Sequence, residues 1–367
     1  MTSSSVSLRV GVLIAAVSVL CSLAGCATAS DSPTRTTETE VVESSAGATA
    51  QATDSRQISI VHALGTTKLD APAKTVVALD DPWADAVLML HGTLLGYADT
   101  HAQGTGLGDY LGNLPERFGA DAAIVGTPRE PDFDAIAALR PDLIVGAKET
   151  SGEHYARLSA IAPTVMSEGA PATWKSGYLA LGKALGAETA AAGAIAEYEQ
   201  QARRVGDAIR AGADDPTISV VRFQTGPTRI YAAGSFPGTV LADAGLARPK
   251  SQRSDQNFIK VTPDRVGEVD ADRIFITMSP LGGERSMESF RSTADWRALD
   301  RRTVPADDGV WITSESLPGA YAILGALARA FNVDGPVVPD GLAGAVKGTP
   351  AGENIQVDGG QLPRSHP

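Results

Sequence analysis

The stretch AETAAAGAIAEYEQQARRVGDAIR, residues 187–210, lies near the middle of the chain and decides its architecture. Ala191, Ile195, Tyr198, Ala202, Val205 and Ile209 recur at spacings of four and three, which places them along one helix face. Glu188, Glu197, Glu199, Arg203, Arg204 and Arg210 fall largely on the other faces. At 1.5 Å per residue, about 24 residues span roughly 36 Å, enough to cross the back of one lobe and reach a second. A linker made of one stiff helix permits only small hinge closure.

On both sides of this rod, apolar bursts alternate with helical patterns, the signature of α/β architecture. Strands are predicted at residues 75–79, 94–97, 122–125 and 143–145, and then at 218–223, 229–232, 273–277 and 310–312. A weak internal repeat runs through the two halves. Pro131-Asp132-Phe133 opens a helical stretch that leads to Pro141-Asp142-Leu143-Ile144-Val145, and Pro263-Asp264-Arg265 opens another that leads to Arg273-Ile274-Phe275-Ile276. Each is followed by an aromatic-led helical segment, a proline and a strand. The expected fold class is therefore α/β, with two similar lobes joined by one long helix and a ligand cleft between them.

The ends read differently. An apolar run from Val10 to Leu20 follows a single positive charge, Arg9, and leads to Leu23-Ala24-Gly25-Cys26. The run is too short to span a bilayer, which needs about 20 apolar residues, but it suits a signal-peptide core ending in a lipidation cysteine. We therefore expect a signal peptide over 1–25 and lipid on Cys26, which places the mature chain on the outer face of the cytoplasmic membrane. Residues 26–55, rich in Ser, Thr, Ala and Glu, read as a flexible tether. The N-terminal lobe is expected over 56–185, the linking helix over 186–212, the C-terminal lobe over 213–334 and a loose Gly/Pro-rich tail over 335–367.

Both cysteines, Cys21 and Cys26, fall in the leader, so the lobes contain no thiol for a disulfide, a cysteine-metal site or cysteine catalysis. With 367 residues and 43% hydrophobic content the chain is long enough to be held by its core alone. A formal charge of −12 argues against a nucleic-acid partner.

Together these features resemble the substrate-binding lipoproteins of bacterial ABC importers, in the helical-backbone class serving ferric siderophores, haem and cobalamin. Thr75-Val76-Val77-Ala78-Leu79-Asp80 with Trp83 to Leu88 resembles the family's first strand and helix, and Arg140-Pro141-Asp142-Leu143-Ile144-Val145-Gly146 its second signature. Ser219-Val220-Val221-Arg222-Phe223, Ser235-Phe236-Pro237-Gly238 and Ala244 to Pro249 are similar to the ferric-siderophore branch. The likeness covers residues 58–333. Thr262-Pro263-Asp264 departs from it, since the family more often has Ser-x-Glu there, but a helix start is still expected, because Thr262 can cap and Asp264 lies near the positive end of the dipole. The resemblance implies a receptor that binds a ferric siderophore and presents it to a permease, with no cofactor of its own. A haem- or cobalamin-binding lipoprotein of the same fold, or an envelope lipoprotein without a transport role, remains as an alternative.

A ferric siderophore is often anionic and its metal is already wrapped, so the protein needs cationic donors and aromatic faces rather than metal ligands. Arginine's planar fork suits this. In α/β lobes ligands sit beyond the carboxyl ends of strands, which picks out Arg129, Lys148 and Arg222. Trp83, where a helix begins, either packs as a staple or offers a face to the ligand. Trp174 lies in a Pro- and Gly-containing connection; Tyr231, Phe236 and Trp311 lie near second-lobe strand ends. Lys250 and Arg253, with Arg248, form a basic cluster that either clamps a ligand or is a solvated loop, and Arg285 follows Gly282-Gly283. His101, alone in a Gly-rich loop, keeps haem open. The resemblance further implies acidic residues that meet the permease, for which Glu116, Glu284 and Glu288 are candidates.

Other chemistries find little support. The five histidines form no pair at ligand spacing, which argues against a dedicated transition-metal site. An enzyme is not expected, because there is no Gly-x-Ser-x-Gly elbow and no His-Glu-x-x-His.

Overall fold

Val76-Val77-Ala78-Leu79 is an unbroken apolar run, as expected for a strand buried on both faces. In the computed structural model, which describes residues 57–100, 107–169 and 171–342, all four side chains are fully buried. Because side chains alternate along a strand, Val76 and Ala78 enter one core and Val77 and Leu79 another on the opposite face.

The N-terminal lobe begins with a hairpin, β1 (Ile58–His62) and β2 (Gly65–Leu69). It continues through β3 (Thr75–Ala78), α1 (Asp81–Met89), β4 (Thr93–Tyr97), α2 (Leu114–Phe118), β5 (Ala123–Ile124) and α3 (Phe133–Leu139). Then come β6 (Leu143–Ala147), α4 (Lys148–Ser151), α5 (Tyr155–Ser159), β7 (Thr164–Ser167) and α6 (Trp174–Ala184). Five of the strands form an all-parallel sheet in the order β5-β4-β3-β6-β7.

The connecting rod is α7 (Glu188–Ala213), 26 residues long. It buries the face predicted for it, Ala191, Ile195, Tyr198, Ala202, Val205 and Ile209, together with Gly206. A Cβ on Gly206 would lie 1.7 Å from the backbone oxygen of Ala244, so only glycine lets the rod seat this closely on the second lobe.

The C-terminal lobe contains β8 (Ile218–Phe223), β9 (Thr228–Tyr231), α8 (Phe236–Asp243), β10 (Phe258–Val261), β11 (Arg273–Met278), α9 (Glu284–Arg291) and α10 (Ala294–Leu299). β12 (Thr303–Pro305) and α11 (Leu317–Phe331) complete it. Its sheet runs β10-β9-β8-β11-β12, parallel through β8, β11 and β12 but antiparallel along the β8-β9-β10 edge. The strand predicted over Val310-Trp311-Ile312 is instead a single wide helical turn, Gly309–Thr313. Three buried apolar residues in a row fit either geometry, and here Trp311 stacks on Phe275 with ring centres 4.4 Å apart.

One hydrophobic core passes without a break from the first lobe into the second. It includes Trp83 of α1, Trp174 and Tyr178 of α6, Tyr198 of α7, Phe236 of α8 and Tyr321 of α11. The lobes are thus fused along the rod and not strung from it. Polar bonds cross the same seam: Trp174 Nε1 donates to Thr239 Oγ1 at 3.1 Å, and Lys175 Nζ bonds Glu199 and Asp243, each at 2.8 Å.

The leader, Cys26 and the tether lie outside the described residues. Of the tail, residues 335–342 are tied down: Val337 N donates to Gln201 Oε1 at 3.0 Å, Gly341 O accepts from Asn113 N at 3.1 Å, and Leu342 is buried. Among the described residues no helix is long and apolar enough to cross a membrane.

Candidate functional site

The carboxyl ends of the parallel N-lobe strands converge on one cavity of about 310 Å³. Asp80, Pro82 and Trp83 follow β3, Thr100 follows β4, Ala147, Glu149 and Thr150 end or follow β6, and Ser167 and Gly169 end or follow β7. Trp174, Gly177 and Tyr178 of α6 add a wall. The second lobe closes the cavity with Asn257, just before β10, and with Ile312 to Leu317 apart from Ser314.

Local capping fixes the first of these residues. Asp80 is extended and its carboxylate accepts from Trp83 N at 3.2 Å, starting α1 as a good N-cap does. Pro82 occupies the first turn, where its missing N–H is harmless. Trp83 both packs into the core and faces the cavity. It is buried, with Nε1 donating to Gly146 O at 2.9 Å, and it lines the cavity. Trp174 likewise lines the cavity while packing edge-on against Tyr198 and Phe236.

The electrostatics invert the expectation of a basic gap. Three carboxylates, Asp80, Glu149 and Glu315, line the cavity, and no Lys, Arg or His does so among the described residues. Burial pushes Asp80 up to about 7, with the neighbouring Asp81 charge adding to the rise. Glu315 is pushed up to about 8 by burial and then by the charges of Asp80 and Glu149. Below the cavity floor, buried Asp85 accepts from Ser316 Oγ at 2.5 Å and Tyr110 Oη at 2.8 Å, and desolvation raises its pKa well above the usual range. That bond joins α1 of one lobe to the N-cap of α11 in the other.

The predicted cations stand elsewhere. Arg222 reaches Asp308 in a two-pronged ion pair, Nε–Oδ1 2.8 Å and Nη2–Oδ2 2.6 Å. Lys148 sits between the lining residues Ala147 and Glu149, but its Nζ pairs with Glu168 at 3.2 Å. Arg129 is exposed after β5, and its backbone carbonyl meets His154 Nε2 at 2.9 Å. The basic cluster divides: Lys250 and Arg253 are exposed, whereas Arg248 is buried and donates to Tyr231 O. Arg248 Nε and Nη1 have no partner, and burial lowers its pKa to about 10.

Of the aromatics, Tyr231, Phe236 and Trp311 belong to the core and do not line the cavity. Their positions at strand ends look the same in sequence whether a ring turns inward or outward. Arg285 lines a second pocket, in the C-lobe, with Gln224, Gly282, Gly283 and Phe290. Glu116, Glu284 and Glu288 are exposed. His101 lies outside the described residues.

Sequence reasoning missed Glu149 and Glu315, because it looked for positive charge. Glu315 has a signal in the backbone only, a left-handed φ of 38° that side chains rarely adopt. Among the described residues no group of three or more His, Cys, Asp or Glu is placed to hold a metal ion.

Two α/β lobes on one helical rod, with a cavity at the strand ends, define a bilobed binding protein. The family model described as "Periplasmic binding protein" matches residues 76–302, and the chain belongs to that family. It is similar to the probable siderophore-binding lipoprotein YfiY of Bacillus subtilis (strain 168), 29% identical over 299 residues, which is 77% of this chain and 90% of that protein. It is also 29% identical over 225 residues to the achromobactin-binding periplasmic protein of Dickeya dadantii (strain 3937), covering 58% of this chain and 73% of that one. Among solved structures, Staphylococcus aureus SirA complexed with staphyloferrin B superposes with a TM-score of 0.67 at 25% identity, over 75% of this chain and 99% of that chain.

Proposed function

We propose that this chain is an exported, lipid-anchored receptor that captures a ferric siderophore between its lobes and delivers it to an ABC importer. The observation that carries the reading is the cavity shared by the two lobes, walled by Trp83 and Trp174 where the parallel strands end. Its support from outside the chain is that one relative is named as a probable siderophore-binding lipoprotein and another as achromobactin-binding, over 77% and 58% of this chain. Export rests on the leader and Cys26, and on a relative named as a lipoprotein. Delivery rests on membership of the family, with Glu116 on one lobe and Glu284 and Glu288 on the other as docking residues.

The ligand contacts we assign are Trp83 and Trp174 in the cavity, with Lys148 at its edge. Arg222 engages an anionic chelate only by exchanging Asp308 for it. Indole fluorescence, titrated with ferric hydroxamates, catecholates and carboxylates and with haem and cobalamin, tests the reading. Saturable quenching by at least one ferric siderophore is expected. Saturable quenching by haem or cobalamin alone contradicts it. For the docking residues, Glu116→Ala with Glu284→Ala is expected to cut uptake in cells while leaving chelate affinity unchanged.

A further inference from the structure

The cavity between the lobes combines three features that point to one kind of ligand group. The first is a set of carboxylates that no Lys, Arg or His joins in lining the cavity among the described residues. Asp80, Glu149 and Glu315 line it, and the nearby cations are already engaged, Lys148 by Glu168 and Arg222 by Asp308. The second is a side chain left without a partner. Asp80 is spent in part on capping Trp83 N, but Glu315 makes no hydrogen bond or ion pair with any described residue, although burial is enough to push it up to about 8. Desolvating Asp80 and Glu315 without counter-charge is costly, which favours a ligand group that brings positive charge. The third is the wall. Trp83 and Trp174 offer indole surface, and cations are attracted to the faces of such rings.

Size limits what enters. At about 310 Å³ the space lies at the foot of the ~300–1,000 Å³ range of small-molecule pockets, which suits one arm of a chelate. A metal ion is a poor occupant, because these carboxylates are not grouped for coordination. An organic cation needs no such geometry: it is satisfied by charge, aromatic contact and a few acceptors.

We propose that this cavity selects ferric chelates bearing a protonated amine, which it seats between Glu315, Asp80 and Glu149 with the attached methylenes against Trp83 and Trp174. The assignment rests on the receptor reading above and narrows its substrate class. It also separates two tasks: recognition of the amine in the acidic cavity, and contact with the iron-bearing body outside it.

Matched pairs of ferric chelates test this, each pair consisting of a free-amine chelate and the same molecule N-acetylated. A linear trihydroxamate with a terminal amine, a polyamine-based catecholate and an amine-bearing citrate-type carboxylate serve as the three backbones. Affinities are measured on the full chain by fluorescence titration. In every pair that binds, the free amine is expected to bind at least tenfold tighter than its acetylated partner. Glu315→Gln and, separately, Glu149→Gln are expected to shrink that ratio toward one. Circular dichroism and thermal melting check that both near-isosteric variants fold. A ratio within twofold, or one inverted in favour of the acetylated chelate, overturns the proposal while leaving the receptor reading in place. Failure of every ferric chelate to bind overturns both.

Discussion

The two lobes share an architecture but treat charge in opposite ways. In the N-terminal lobe every strand of the main sheet is parallel, so strand ends gather on one side and bring Asp80 and Glu149 to the cavity, which no Lys, Arg or His lines among the described residues. In the C-terminal lobe the β8-β9-β10 edge runs antiparallel, and the charge near the end of β8 is Arg222, already neutralised by Asp308. A residue's charge in the sequence is therefore no guide to the field it produces. Pairing decides, and here it leaves the cavity acidic and the arginine silent.

The largest expected effect removes the seam on which the comparison depends. Trp174→Ala deletes an indole that packs on Tyr198 and Phe236 and bonds Thr239, and it is expected to cost about 3–5 kcal/mol in urea unfolding. Next comes the acidic side. Asp80 moves from 3.8 to about 7 on folding, so between those values the unfolded chain is ionised while the folded one keeps its proton. The folded state then binds more protons, and this contribution to stability is full below about pH 4 and lost as pH rises to about 7. For Glu315 the window runs from 4.5 to about 8. Asp80→Asn keeps a capping oxygen and is expected to flatten the stability–pH curve by a total of about 4 kcal/mol, read from thermal melts at a series of pH values.

The basic side answers to a different substitution. Asp308→Ala strands Arg222 in a largely buried position and is expected to cost about 3 kcal/mol in chemical denaturation. If it costs nothing, the ion pair is not what silences the arginine. The smallest contrast lies along the rod. Gly193 is exposed with open space around it, whereas Gly206 faces the Ala244 carbonyl. Gly193→Ala is expected to stabilise by about 1 kcal/mol from helix propensity, and Gly206→Ala to destabilise by about 2 kcal/mol from overpacking. The sign difference, measured by denaturant titration, reports whether the rod presses on the second lobe.

The rod was legible because a helix that buries one face must repeat its apolar residues at three and four, and residues 187–210 do so for six turns. The central strands were legible for a related reason. Val76 to Leu79 and Ile218 to Phe223 are buried on both faces, so their composition alone marks them. The hairpin of β1 and β2 left less trace. One face of it is exposed, with Val61 79% accessible, and Lys68 and Thr residues interrupt the pattern. β10 was hidden in the same way, at the antiparallel edge of its sheet.

The site was legible only as a place. The strand-end rule led to Trp83 and the neighbourhood of Lys148, which lie at the cavity, since it depends on connectivity. It did not reveal that Arg222 finds Asp308 across 86 positions, or that Glu315 meets Asp80 from the far lobe. Such meetings are set by the closure of the whole fold.

The account turns on where the chelate sits, and the four indole N–H resonances of the chain report on that directly. Trp83 and Trp174 line the cavity between the lobes, whereas Trp296 packs on Phe290, which lines the second, C-lobe pocket. Adding a bound ferric chelate, paramagnetic, is expected to broaden Trp83 and Trp174 and spare Trp296, while its diamagnetic gallium analogue broadens none. Loss of the Trp296 signal with Trp83 and Trp174 left sharp would put the ligand in the other pocket and contradict the account.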